Sequence, residues 1–188
     1  MIQQVNDDQD AALILRAVSG RDSNAFGQLV VLHQGKVRSF LRRLCREPAL
    51  ADDLAQESFL IAYKKLSSYR GSGRFSAWLC SIAYRRFLQY ERERRREARQ
   101  HEDYAEEVAL VSDDYEAITP LQLDLERMLL QLDPQEAAAI TLNFTHGFAH
   151  AEVATIMQLP LGTVKSLINR AMPKLRLLMR VSMEVSET

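Results

Sequence analysis

No stretch of this chain alternates apolar and polar residues as a half-buried strand requires, whereas apolar residues recur at helical steps almost throughout. With seven glycines and five prolines among 188 residues, few element interiors are interrupted. The pattern predicts an all-α protein. No apolar run approaches the roughly 18 to 20 residues that span a bilayer. The opening MIQQVNDDQD is polar and acidic, unlike a signal peptide. No membrane insertion and a cytoplasmic location are expected.

Punctuation places the helices. Residues 10–19 read as a first helix that Gly20 stops. Ser23 or Asn24 is the expected cap of a second, with Phe26, Leu29, Val30, Val37, Phe40, Leu41 and Leu44 inward. Pro48 is expected in the break before a third helix, at about 50–66. A polar loop, Ser67 to Arg74, precedes a fourth that starts near Phe75 and runs into the nineties. Beyond it the apolar stripe fades until Pro120, which reads as a linker. Asp133, Pro134 and Glu136 then suit a cap, a first helical position and a capping box. That helix should end near Gly147. Another should span 149–158, and a last one should start at Pro160. The predicted architecture is two small helical domains, 1–97 and 120–188, joined by an acidic linker, 98–119.

A net charge of −1 conceals segregation. Arg85 to Arg99 holds seven Arg and three Glu; Gly162 to Arg180 holds five basic residues and no acid. His101 to Glu126, between them, holds nine acids and no Lys or Arg. Two basic blocks around an acidic one suit two polyanion-binding surfaces and a tether that avoids polyanions; solvated helix faces would give a similar pattern. Cys45 and Cys80 provide neither a disulfide framework nor paired metal-ligand spacing. Both are expected as reduced, buried thiols, with no metal and no cofactor.

Three surfaces carry information. On the third helix Ala51, Leu54, Ala55, Phe59, Ile61, Ala62 and Leu66 share one arc. Asp52, Asp53, Gln56, Glu57 and Lys64 share the other, with Leu60 and Tyr63 among them. An acidic head beside exposed apolar groups suits docking to another protein. On the fourth, Arg85, Gln89, Arg92, Arg96 and Arg99 form a basic stripe, anchored by Trp78, Leu79, Ile82 and Ala83. The loop before it offers Ser67, Ser68, Tyr69, Arg70 and Arg74: hydroxyls, an aromatic face and guanidiniums, which suit an unstacked base and its phosphates. The third surface is a helix-turn-helix pattern from His150 onward. Val153, Ile156, Met157, Val164 and Ile168 point in; Thr163, Lys165, Ser166, Asn169 and Arg170 point out.

These segments resemble, in order, four blocks of the extracytoplasmic-function (ECF) sigma factors, two-domain bacterial transcription initiation factors. AFGQLVVLHQGKV resembles the opening of the promoter-melting domain, and DDLAQESFLIAYKKL the polymerase-docking helix. YRGSGRFSAWLCSIAYRRFLQYERERRRE resembles the minus-ten reader, and LPLGTVKSLINRAMPKLR the minus-thirty-five reader. The resemblance covers roughly residues 10–96 and 121–178. It implies that Asp52, Asp53, Gln56, Glu57 and Leu60 meet the β′ clamp of core RNA polymerase, with Phe59 in the core. It implies that the loop at Ser67 to Arg74 holds a flipped-out base, and that Arg85, Arg86 and Gln89 lie on the DNA side. Thr163, Lys165, Ser166, Asn169 and Arg170 would address the upstream duplex, and the linker would follow polymerase's RNA path. An anti-sigma partner is implied as well.

The chain departs from the family pattern at a few points. Ala149 stands where the usual cap is Ser, and Gln158 stands at a turn position that is usually Gly. Leu167 replaces a frequent Arg. Pro173 is expected to bend the last helix, at about 3 kcal/mol. The bend would separate the reader from a segment with Lys174, Arg176 and Arg180 that packs on the domain or grips the β flap. Two other readings compete. A stand-alone helix-turn-helix regulator would ignore polymerase, but the acidic helix argues against it. An enzyme would need a site, and His146 with His150 has metal-like spacing; Gly147 between them and the lack of a nearby Cys or Asp argue against a ligand pair.

Overall fold

The computed structural model describes residues 2–20, 22–45, 47–100 and 127–186. The chain divides into two compact units, Met1–Leu41 with Asp52–Glu102 and Arg42–Ala51 with Asp103–Thr188. Most of the expected linker, from residue 101 on, and the stop at Pro120 lie outside the described residues. Residues 98–100 continue the fourth helix. There is no strand among the described residues.

The first unit holds α1 (Ile2–Ser19), α2 (Ser23–Arg42) up to Leu41, α3 (Pro48–Lys65) from Asp52 on and α4 (Phe75–Gln100). The first helix starts earlier than its apolar pattern suggested, and it ends at Gly20 as expected, where the Gly20 amide donates to the Arg16 carbonyl at 3.0 Å. The cap of α2 is neither Ser23 nor Asn24 but Asp22. Its Oδ1 accepts from the amides of Asn24 (3.0 Å) and Ala25 (3.1 Å), while Oδ2 takes Arg16 at 2.8 Å. A carboxylate serves two amides and a guanidinium at once, which a hydroxyl or amide does less well. Pro48 is not in a break; it opens α3, where its missing N–H costs nothing.

The core of this unit comes from the predicted arcs. Leu29, Val37, Phe40 and Leu41 of α2 are buried with Leu54, Ala55 and Ala62 of α3 and Phe75, Leu79, Ile82, Ala83, Tyr84 and Phe87 of α4. Each large side chain so buried contributes roughly 1.5–3 kcal/mol. The helix α1 is pinned by Leu13 and by a polar contact. Asp10, 5% exposed, lies 2.8 Å from Nε2 of His33, whose ring meets Phe75 edge-on at 5.4 Å.

In the second unit α5 (Pro134–Ile140) runs into a π-type turn, Thr141–Thr145; α6 (His150–Met157) and α7 (Leu161–Ser186) follow. Asp133 caps α5 as expected, accepting from the Gln135 amide at 2.9 Å, with Pro134 first. Glu136 does not close a capping box. It is 3% exposed and turned toward α7. Gly147, at φ 67°, ends the run as expected. Ala137, Ala138 and Ala139 are buried beside Val164, Leu167, Ile168, Ala171 and Leu175 of α7, so small groups on α5 let the two helices approach closely.

Pro173 does not interrupt α7, which continues through it to Ser186. The next turn is anchored at two adjacent positions. Lys174 Nζ donates to Glu136 Oε2 at 2.7 Å, and Leu175 is 7% exposed. Proline removes the bond that the Asn169 carbonyl would accept, and Asn169 lies on the exposed face, where water can serve it.

Candidate functional site

Turning α3 about its axis sets the first surface. Asp53 and Gln56 are exposed, and Leu60 and Tyr63 remain 56% and 50% exposed beside them. Leucine and tyrosine so open on a helix with a buried opposite face form an apolar ledge. Below it a groove of about 610 Å³ runs between α2 and α3, lined by Phe26, Val30, Gln34, Phe59, Leu60 and Tyr63 among others. Phe59, expected in the core, is half-buried and forms the groove wall.

Two of the acids on this helix are engaged. Asp52 receives both arms of Arg38, Nε at 2.9 Å and Nη2 at 2.6 Å. Glu57 accepts from Nε of Arg86. Arg86, placed on the DNA side of α4 by the family resemblance, is largely covered: its side chain is 17% exposed, and Glu93 lies 3.8 Å from Nη1. The Glu57 hydrogen bond raises the guanidinium's already high pKa, keeping it a cation. Residues placed by sequence on separate polymerase and DNA surfaces are therefore joined by one ion pair.

Arg85 is exposed and folds back on its own helix, donating to the Ser81 carbonyl at 2.9 Å. Gln89 donates to Glu93 at 2.9 Å. Arg92, Arg96 and Arg99 extend the exposed row. In the preceding loop Ser67 and Ser68 belong to a 3₁₀ turn, Leu66–Ser68, and Arg70 is exposed while Arg74 is half-buried. Gly71 and Gly73 hold φ of 70° and 93°, conformations costly for other residues. The Tyr69 hydroxyl donates to the Gly73 carbonyl at 2.6 Å, closing the loop. Its ring packs on Phe75 (5.3 Å) and Trp78 (5.4 Å), so much of the aromatic surface expected for stacking is engaged within the protein. Burial, then the carboxylates of Asp10 and Asp7, push its phenol above the ordinary value of 10.0.

In the second unit α6 and α7 form a helix-turn-helix. Gln158, at φ 56° and ψ 43°, is the left-handed residue of the turn. Ala149 offers no side-chain cap; Glu152 supplies half of a box instead, accepting the Ala149 amide at 2.8 Å. Pro160 is the residue before α7 rather than its first, its carbonyl accepting from Thr163 (2.9 Å) and Val164 (3.1 Å). Thr163, Lys165, Ser166, Asn169 and Arg170 are all exposed, and the intervening Val164, Leu167 and Ile168 are buried. Leu167 is thus a core residue. Sequence reasoning gave Glu136 a capping role and missed its partners: it reaches Lys174 and lies 3.9 Å from Nε of Arg170. The only signal of those partners was an acid within a run of small apolar residues.

Known proteins match this arrangement. The family model for sigma-70 region 2 matches residues 29–97, and that for sigma-70 region 4 matches residues 122–175. The ECF RNA polymerase sigma-E factor of Haemophilus influenzae is 34% identical over 173 residues, covering 86% of this chain and 90% of that protein. The RNA polymerase sigma-H factor of Pseudomonas aeruginosa is 30% identical over 175 residues, covering 87% and 90%. Among solved structures, the sigma factor RpoE in complex with the anti-sigma factor NepR from Bartonella quintana aligns with a TM-score of 0.70 at 30% identity, over 83% of this chain and 97% of that one. The structure of CnrH in complex with the cytosolic domain of CnrY aligns at 0.68 and 25% identity, over 92% and 98%. Two sigma regions in order on an all-helical chain, with relatives alike over most of their length, make the conclusion direct: the chain belongs to the ECF sigma factors, the initiation factors that bind RNA polymerase and give it promoter specificity.

Proposed function

We propose that α3 is the polymerase-binding helix and that Asp53, Gln56 and Leu60, joined by Tyr63, make the contact with the β′ clamp. The exposed pairing of Leu60 and Tyr63 beside Asp53 is the observation that carries this reading, because isolated solvation would not favour it. Asp52 and Glu57 act at one remove, holding Arg38 and Arg86. The loop from Ser67 to Arg74 takes an unstacked base of the opened strand. Arg85, Gln89 and the row of arginines after them take phosphates. On α7, Lys165, Ser166, Asn169 and Arg170 read the upstream duplex, and Thr163 lies at the helix start. The protein performs no covalent chemistry; it positions polymerase and stabilises opened DNA. An anti-sigma protein that covers the groove between α2 and α3 would keep it from polymerase, a reading supported by the anti-sigma complex among its structural neighbours.

The test is promoter-specific RNA from core polymerase plus this protein on a randomised promoter library. Tight binding to a palindrome without such RNA would favour a stand-alone regulator. Asp53→Lys should weaken association with core polymerase about tenfold or more in a pull-down and leave the melting temperature unchanged, because the residue is exposed. Glu57→Lys is a poorer probe, since it also strands Arg86. Unchanged affinity of the Asp53 variant would remove that contact from the proposal.

A further inference from the structure

Glu136 has no place in that reading, yet it is the most deeply buried acid described in the second unit. It sits on the third residue of α5, next to Ala137, Ala138 and Ala139, where an apolar side chain would fill the space without penalty. A carboxylate withdrawn from water is tolerated only when paired. Both of its partners come from the reading helix. Oε2 accepts Lys174 Nζ at 2.7 Å, and Oε1 lies 3.9 Å from Arg170 Nε. Lys174 and Arg170 are four residues apart, hence on one face of α7. Each keeps more than half of its side chain exposed, 53% and 63%.

The geometry of a guanidinium makes the arrangement directional. With Nε drawn toward Glu136, the two terminal nitrogens form the free edge, and that fork is what matches the two acceptors of a guanine. Lys174, by contrast, is a point charge able to take any phosphate without regard to sequence. The same carboxylate therefore aims one cation and restrains the other. We propose that Glu136 is a positioning residue for upstream recognition: it sets the Arg170 guanidinium for base reading and keeps Lys174 from adding sequence-blind affinity. This rests on the reading of Arg170 as a base-contacting residue.

The experiment uses holoenzyme assembled from core polymerase and full-length protein. The probes are promoter duplexes recovered from a randomised library by the unaltered protein, and the same duplexes changed at the upstream base pair it tolerates least. The readout is the ratio of affinities for the two, at several salt concentrations. Glu136→Gln should cut that ratio about tenfold, chiefly by improving binding to the changed duplex, and should steepen the salt dependence by roughly one counterion. In an Arg170→Ala background the same substitution should leave the ratio where Arg170→Ala put it. Glu136→Gln combined with Lys174→Met, which leaves no buried charge unmatched, should show the reduced ratio without the steeper salt slope and guards against misfolding. A variant that melts lower but keeps ratio and slope would make Glu136 merely structural and overturn the proposal, with Arg170 still the reader provided that Arg170→Ala alone lowers the ratio. If Arg170→Ala leaves the ratio intact, the reader assignment itself falls and the proposal falls with it.

Discussion

Gln158 holds a left-handed backbone that L-residues other than Asn and Asp adopt at a cost. The residue is exposed, so its side chain gives little back. Gln158→Gly should therefore raise stability by about 1 kcal/mol in chemical denaturation, without altering helical content. Asp22 makes the opposite kind of point. The Arg16 hydrogen bond, then that from the Ala25 amide, hold its carboxyl below the ordinary value of 3.8. A lowered value in the folded state means that ionisation favours folding. The contribution is complete above pH 3.8 and fades as pH falls through the folded-state value. Asp22→Asn should thus be less stable than the unaltered protein at neutral pH, and the gap should close in melts taken below that ordinary value. Gln158 was legible in the sequence as a glycine position filled by another residue. The Asp22 cap was not, because Ser23 and Asn24 offer equally good capping chemistry one and two positions later.

Helices announced themselves more clearly than their partners did. The arcs of α2 and α3 gave the buried residues almost entirely, since a single period of 3.6 decides which face an apolar residue occupies. What the period cannot give is which charge on one helix meets which on the next. Arg38 with Asp52, Glu57 with Arg86 and Glu136 with Lys174 are separated by 14, 29 and 38 residues, and only packing brings them together. The same limit explains Pro173. Its intrinsic cost suggested a bend after Arg170; α7 runs on through it, and Lys174 and Leu175 secure the turn that follows. Pro173→Ala should then keep the helix and raise stability by about 1–3 kcal/mol, measured as a higher unfolding midpoint. If the proline instead served to end the reader, the substitution would lengthen the helix seen by circular dichroism.

At the scale of the molecule, both thiols are buried, and burial pushes that of Cys80 up to about 12. The native protein should leave both unmodified by a thiol reagent over the time in which the denatured chain reacts at two sites per molecule, counted by absorbance or mass. One faster site in the native protein would place Cys45 or Cys80 at the surface. No helix among the described residues is long and apolar enough to cross a membrane. The bond between Glu57 and Arg86 has a reach beyond any single assay. A lineage that loses the acid at 57 inherits a largely covered cation with only Glu93 at 3.8 Å to answer it. Drift on α3 is thereby chained to drift on α4, and the two positions are free to exchange signs only together.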